Sequence, residues 1–404
     1  MNKGMLSFEE ALAQLLAGAQ PLTEKEHVDT LAACGRVLAA AQTSSINVPP
    51  LDNTSMDGYA VRSADVSAVG TRLPISQRIP AGTVGAPLKP GSAARIFTGA
   101  PVPAGADAVV MQELCAHVPG EEDVVAINHV PKPGEWVRRV GEDIRAGAEI
   151  LAAGTRLRPQ EVGLAASVGL AQLPVFRRLR VAVFFTGDEL VMPGEPLPEG
   201  ATYNSNRYTM RGLLEQLGCE VHDFGIVPDQ LSTTRAVLRR AAEVADLIIT
   251  SGGVSVGEED HVKPAVLAEG ELNLWKIAIK PGKPLAFGRV GKSAFIGLPG
   301  NPVSGFVTFL MLVRPFILRI QGAQQSAPRG MTLRADFDWP KPDPRREFLR
   351  ARINAEGGLD NFANQSSAVL TSTVWADGLI DNPAGQAITC GDAVRFFPFA
   401  ELLS

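Results

Sequence analysis

The chain reads as a multidomain α/β protein. It predicts a doubly wound, mostly parallel sheet domain, a helical segment, an inserted β domain and a C-terminal β-barrel. Three observations carry this. Residues 178–326 alternate short apolar runs with stretches of helical periodicity. Residues 46–141 and 327–404 instead show short β-type runs between Gly/Pro turns. The 404 residues are 45 % hydrophobic, enough for several cores.

The elements follow in order. Residues 6–45 read as helical, starting at Ser7-Phe-Glu-Glu-Ala with apolar residues at helical spacing, and Pro49-Pro50 ends the segment. The runs Arg95-Ile-Phe, Ala108-Val-Val-Met and Asp123-Val-Val-Ala-Ile are strands of the β domain. Pro159-Gln-Glu-Val-Gly-Leu begins a second helix, expected to pack with the first, so that 1–45 and 142–177 form one helical domain around the insertion. In the alternating region, strands are expected from Arg180, at Val221 to Val227, at Leu247 to Thr250 and from Ala294. Asn204-Ser205 caps a helix whose Met210, Leu213, Leu214 and Leu217 share a face, and Gly218 ends it. The longest apolar run, from Phe306, is cut at Arg314-Pro315 and is too short to span a bilayer. Leu349 to Ile353 and Ala393 to Phe397 are strands of the last domain.

The net charge of −5 is too mild for a nucleic-acid or membrane surface, so any positive site is local. The four cysteines are far apart and give no CxxC spacing, and the five histidines show no paired ligand spacing. This argues against a structural zinc protein and a histidine-centred hydrolase. No secretory signal opens the chain, and a cytoplasmic location is expected.

Ligands of open α/β sheets sit outside the carboxyl ends of the strands. The polar motifs fall there. Ser251-Gly252-Gly253 follows a buried run, and two glycines let N–H groups turn towards an anion. Glu258, Glu259 and Asp260 come next, a pairing that points to a phosphate ligand bridged by Mg²⁺; the alternative is a plain glycine turn with solvated acids. Thr186-Gly187-Asp188-Glu189 suits a phosphate, a ribose or a metal, or simply starts a helix. Pro228-Asp229 follows the next strand. Lys276, Lys280 and Lys283 lie within eight residues among prolines, either as anion-neutralising groups or as a solvated edge. In Gly297-Leu-Pro299-Gly-Asn-Pro302-Val-Ser304, Asn301 and Ser304 are expected helix caps. Asn53-Thr-Ser-Met-Asp57-Gly also reads as a hairpin turn.

Met56-Asp-Gly-Tyr-Ala, Thr98-Gly-Ala-Pro-Val-Pro, Gly141-Glu-Asp-Ile, Thr186-Gly-Asp-Glu-Leu, Ser251-Gly-Gly-Val-Ser-Val-Gly, Lys280-Pro-Gly-Lys-Pro and Gly297-Leu-Pro-Gly-Asn-Pro-Val-Ser together resemble the molybdopterin molybdenumtransferases of the bacterial MoeA type, and are similar to the gephyrin E domain. The resemblance implies insertion of molybdate into adenylylated molybdopterin with release of AMP, and an elongated homodimer. Glu189, Asp229 and Asp260 would then hold Mg²⁺. Asp57, Asp143 and Thr98 would come from the partner subunit, and Lys276, Lys280 and Lys283 with Arg138 or Arg139 would hold phosphate or molybdate. Thr186, Gly187, Asp188, Ser251, Gly252 and Gly253 would line the phosphate or pterin side. Pro299 and Pro302 would shape the pocket, and the Ser366-Ser367 pair would approach from the last domain. Phe185, Ser366 and the tail from Asp377 depart from the family's pattern. The alternatives are an adenylyltransferase, against which the two β domains argue, and a non-catalytic dimeric scaffold. A molybdopterin adenylyltransferase and other cofactor-biosynthesis proteins are the expected partners.

Overall fold

The computed structural model describes residues 5–253 and 261–403. Two compact units emerge: 1–40 with 154–158 and 172–404, and 41–153 with 159–171.

In the first unit, α1 (Phe8–Gly18) opens with a complete capping box, Ser7 and Glu10 each bonding the other's backbone N–H. Ala11 and Leu15 carry its buried stripe. The helical reading of 6–45 holds only this far. Lys25–Asp29 is a strand paired antiparallel with Gln172–Phe176, and only one short turn, Thr30–Ala32, follows. Pairing with a strand over 140 residues away overrides local propensity there.

The second unit contains a six-stranded sheet of β1 (Gly58–Val61), β2 (Thr71–Ile79), β3 (Ala93–Ile96), β4 (Ala108–Met111), β5 (Cys115–Val118) and β6 (Glu121–Ile127), in the order β4-β1-β3-β2-β6-β5. Only β2 and β3 run parallel. Its two faces feed two small cores, one around Tyr59, Val61 and Leu73, the other around Ala60, Ile79 and Ile96. The helix α2 (Pro159–Ser167) belongs to this unit and packs on the Glu149–Leu151 strand.

Another six-stranded sheet, the mostly parallel one, lies in the first unit. It comprises β7 (Arg180–Thr186), β8 (Glu220–Val227), β9 (Leu247–Ser251), β10 (Gly270–Lys276), β11 (Pro284–Val290) and β12 (Ser293–Leu298), in the order β8-β7-β9-β12-β11-β10. The first four neighbours pair in parallel, and the last two strands are antiparallel. Helices α3 (Ser205–Gln216), α4 (Leu231–Val244), α5 (Val262–Glu269) and α6 (Pro302–Ile320) cover it. Alternate residues of β7 feed opposite cores. Val181, Val183 and Phe185 meet α1, α3 and α6, while Ala182 and Phe184 meet α4 and α5. Asn204 caps α3 by accepting from the Arg207 N–H, and Gly218 follows the helix with a φ of 75°.

The expected break at Arg314-Pro315 does not occur. A wide turn over Phe309–Val313 lets the Arg314 N–H bond Phe309 O, five residues back, and the helix continues through Pro315. The 19-residue α6 is long and apolar enough to cross a membrane, but 89 % of its most apolar window is buried among the sheet and helices. It is a core helix.

The last sheet combines β13 (Met331–Arg334), β14 (Arg346–Ile353), β15 (Gly378–Asn382) and β16 (Ala393–Pro398), in the order β14-β15-β16-β13. The short Ile279–Lys280 strand adds to its β14 edge, in parallel. This pairing carries the Lys280 segment against the C-terminal region.

Candidate active site

The parallel strands β7, β8, β9 and β12 end at one edge, where Phe185 lies beside Ser251 and Ser251 beside Leu298. The loops that leave this edge surround a cavity of about 860 Å³. Thr186, Glu189, Ser251, Gly252, Gly253, Lys280, Lys283, Pro299, Pro302 and Ser367 all line it. Ten expected site residues thus share one wall, as the strand-end rule requires.

The glycine pair sits where a side chain cannot. Gly252 has φ +95° and Gly253 φ +63°. A Cβ on Gly252 would lie 2.6 Å from Thr186 O, and one on Gly253 2.5 Å from Val262 Cγ2. The loop is therefore backbone exposed to the cavity beside the Thr186 hydroxyl, which is buried without a protein partner. Asn206, in the first turn of α3, pins this loop to its neighbour. Its Nδ2 donates to Ser251 Oγ at 2.9 Å and to Gly300 O at 2.7 Å, while Ser251 Oγ donates to Pro299 O at 3.1 Å.

The lysines separate. Lys280 Nζ stands 3.2 Å from Glu347 Oε1 and 3.4 Å from Asp343 Oδ2. Glu347 is fully buried and also accepts from Trp339 Nε1 and the Asp343 N–H. Hydrogen bonds from Arg345 hold the Asp343 carboxyl far below its usual range, although burial opposes them. Lys283 is exposed at the cavity wall with no ion pair among the described residues. Lys276 lies at the end of the edge strand β10 and does not line the cavity.

Among the acids, Glu189 lines the cavity, while Asp188 and Asp229 do not, nor does Gly187. The Asp229 N–H approaches Asp188 Oδ1 at 3.5 Å, and one Asp229 carboxylate oxygen is buried without a partner. That oxygen and the orphaned Thr186 hydroxyl are hard oxygen donors of the kind Mg²⁺ takes. No cluster of three metal-binding side chains occurs among the described residues. Asp260, with Glu258 and Glu259, lies outside the described residues.

Ser367 comes from the C-terminal region and serves α6. Its carbonyl accepts from the Val303 N–H at 3.0 Å, and its Oγ accepts from Asn301 Nδ2 at 3.2 Å. Asn301 and Ser304 are therefore not side-chain caps: Asn301 makes no cap bond, and Ser304 is buried inside the first turn. Behind Ser366 stands Arg350, fully buried, which donates to Ser366 O, Phe348 O and Ser372 Oγ. Burial lowers it to about 10.

The remaining expected residues lie in the other unit. Asp57 Oδ1 accepts from the Thr98 N–H at 2.8 Å and from Thr98 Oγ1 at 2.6 Å, and these bonds hold the carboxyl below its usual range. Arg138 is exposed on a two-residue strand opposite Asn53. Arg139 pairs with Asp52. Asp143 is an exposed loop residue whose N–H bonds Val48 O.

Asn206, Arg345, Gln365 and Arg350 were not anticipated. The Asn-Ser-Asn run at 204–206 was a usable signal for Asn206, because one of its two asparagines is in excess of the cap. Nothing local marks Arg350.

A glycine cradle at the carboxyl edge of an α/β sheet, beside a lysine loop, defines an anion-binding protein of the α/β class. Residues 182–319 match the model of a probable molybdopterin binding domain. Residues 6–169 match the MoeA N-terminal region (domain I and II), and 332–399 the MoeA C-terminal region (domain IV). A molybdopterin molybdenumtransferase of Haemophilus influenzae is 40 % identical over 99 % of this chain and 100 % of its own. Molybdopterin molybdenumtransferase 2 of Mycobacterium tuberculosis is 37 % identical over 94 % of this chain and 95 % of its own. The crystal structure of a molybdopterin biosynthesis MoeA protein from Pyrococcus horikoshii covers 98 % of this chain and 99 % of its own, with a TM-score of 0.77 and 31 % identity. The chain belongs to the molybdopterin molybdenumtransferase family.

Proposed function

We propose that the protein is a transferase of molybdenum cofactor biosynthesis that inserts molybdate into adenylylated molybdopterin, with Mg²⁺-dependent release of AMP. The observation that carries this is the Ser251-Gly252-Gly253 cradle, opening with Lys283 into one cavity of nucleotide-pterin size. Its N–H groups and the lysine offset the charge of a phosphoanhydride. Mg²⁺, when bound, neutralises that charge further and polarises the bond to the leaving AMP. The Asp229 oxygen that lacks a partner, Glu189, Thr186 and Asp260 are the residues proposed to hold it. Lys280, tethered by Glu347 and Asp343, keeps its ammonium at the wall where an oxyanion such as molybdate would lie.

The proposed working form is a homodimer, with Asp57, Thr98 and Asp143 supplied by the partner subunit and Arg138 or Arg139 holding phosphate or molybdate. The proposed location is the cytoplasm, with a molybdopterin adenylyltransferase and other proteins of the same biosynthesis as partners. We read the domains as 1–45 with 142–177, 46–141, 178–326 and 327–404. Helices on both faces of the main sheet support a doubly wound description, and the Ala335–Leu359 bridge, which ties the residue after β13 to the strand pairing with β14, supports a barrel.

The test mixes purified protein with adenylylated molybdopterin, Mg²⁺ and molybdate, and follows AMP. Molybdate-dependent AMP release and active cofactor are expected, lost in Asp57→Asn and Asp260→Asn with the fold intact. Tight substrate binding without release would overturn the reading.

A further inference from the structure

The 41–153 unit carries a second concavity, of about 460 Å³, on the face of its six-stranded sheet. Its floor holds two arginines side by side. Arg78 on β2 and Arg95 on β3 are register partners in the parallel pair. Like charges opposite one another on neighbouring strands destabilise a sheet. The chain nevertheless turns Arg78 to this face. Leu73 and Ile75 point to the core of Tyr59 and Val61, whereas Ile79 points to the opposite core. The switch occurs at the register shift between Ile75 and Gln77, a bulge that places Arg78 on the side of Ile75 rather than behind it. Unbroken alternation would put Arg78 on the other face.

Arg95 feels the Asp57 carboxylate, whereas little offsets the charge of Arg78 from within. Arg95 donates to Gly58 O at 2.9 Å and to Gln112 Oε1 at 2.6 Å, and lies 5.3 Å from the Tyr59 ring centroid. Arg78 lies 4.5 Å from the Phe97 ring centroid, as does Arg95, but it has no hydrogen bond or ion pair among the described residues. Glu122 lines the concavity and bridges neither arginine. Burial pushes the Cys115 thiol up to about 11, so it stays neutral and adds no negative charge. The stacked guanidiniums keep their edges free for a planar or tetrahedral oxyanion.

We propose that this concavity is a binding site for a phosphoryl group, held by Arg78 with Arg95 beside it. The phosphoryl group belongs either to a nucleotide or to a free inorganic anion such as pyrophosphate.

The test is calorimetric titration of the full chain with AMP and, separately, with inorganic pyrophosphate, on the wild type, Arg78→Gln and Lys283→Gln. The lysine variant reports the first cavity, so the two sites are told apart. Arg78→Gln should weaken one class of binding about tenfold or more and retain the class that Lys283→Gln loses. Stronger binding of AMP identifies a nucleotide site, and stronger binding of pyrophosphate a free-anion site. Thermal melts give a second readout: pyrophosphate should raise the Tm of the wild type more than that of Arg78→Gln, because it relieves the arginine pair. Unchanged binding in Arg78→Gln, loss of the same class in both variants, or no binding by the wild type overturns the proposal. Arg78 is exposed, so its replacement leaves the fold in place.

Discussion

The Asn206 side-chain amide bridges Ser251 Oγ and Gly300 O at 2.9 and 2.7 Å, so one residue of α3 holds two loops that leave β9 and β12. Gly300 O can only accept, which fixes Nδ2 towards it. The bridge keeps the glycine cradle and the Pro299-Gly300 turn in one geometry before any ligand arrives. Preorganisation of this kind lowers the cost of binding an anion.

Asn206→Ala removes both donors at once. The expected outcome is a KM for adenylylated molybdopterin raised about thirtyfold, from two hydrogen bonds worth about 1 kcal/mol each, with kcat changed much less. Steady-state AMP release checks it. Asn206→Asp should be worse than Ala, because a carboxylate would face Gly300 O and the incoming phosphate. Equal effects on KM and kcat would mean that Asn206 acts in the chemical step.

Gly253→Ala tests the cradle itself. The backbone at φ +63° costs an L-residue about 1–2 kcal/mol, and the new methyl would meet Val262 Cγ2 and Thr186 Oγ1 at 2.5 and 2.8 Å. The variant should melt several degrees lower and lose most substrate affinity. Gly291→Ala is the control: it has φ +55° and meets only the Ala242 methyl, at 3.8 Å. It should share the melting loss and keep the affinity.

Much of this site was legible from sequence because its signals are local. A glycine pair after an apolar run marks a strand end at which backbone must face a ligand, and four such ends in a parallel sheet share an edge. Asn204 is legible for the same reason, since a cap is read within one turn. Arg350 was not legible, because its partners Ser366 and Ser372 come together only once the last sheet has formed. Pro315 misled in the opposite direction: proline breaks an isolated helix, but a wide turn inside a buried core absorbs it. The helical reading of 6–45 failed where residues 25–29 found a partner strand at 172–176.

Acid stability should depend on Asp246. Burial pushes its carboxyl up, but hydrogen bonds from Arg177, Arg180 and the Arg180 N–H outweigh this and hold it at about 2. The folded value lies below the unfolded one near 3.8. The contribution is therefore fully present above pH 4 and is lost as pH falls through 2. A shift of this size corresponds to about 2 kcal/mol. Asp246→Asn should lower stability by roughly that amount at pH 7 and flatten the acid limb of a pH–stability curve measured by urea unfolding. An unchanged acid limb would show that the Arg177 pair is worth no more than an exposed one.

Mg²⁺ dependence should run through Asp229. One of its carboxylate oxygens is buried with no hydrogen-bond donor, an arrangement that costs free energy unless a cation or a ligand satisfies it. Asp229→Asn keeps the shape and removes the charge. The orphaned position then holds a neutral amide, which a divalent cation binds poorly compared with a carboxylate. The protein without metal should be at least as stable as the wild type, while the Mg²⁺ concentration for half-maximal AMP release rises about tenfold or more. Both sides of the comparison matter. Raised stability with unchanged Mg²⁺ dependence would mean that the buried oxygen is only strain, and would move the metal to Glu189 and Asp260. Lowered stability would mean that the charge of Asp229 is satisfied within the fold and that the cation has no claim on it.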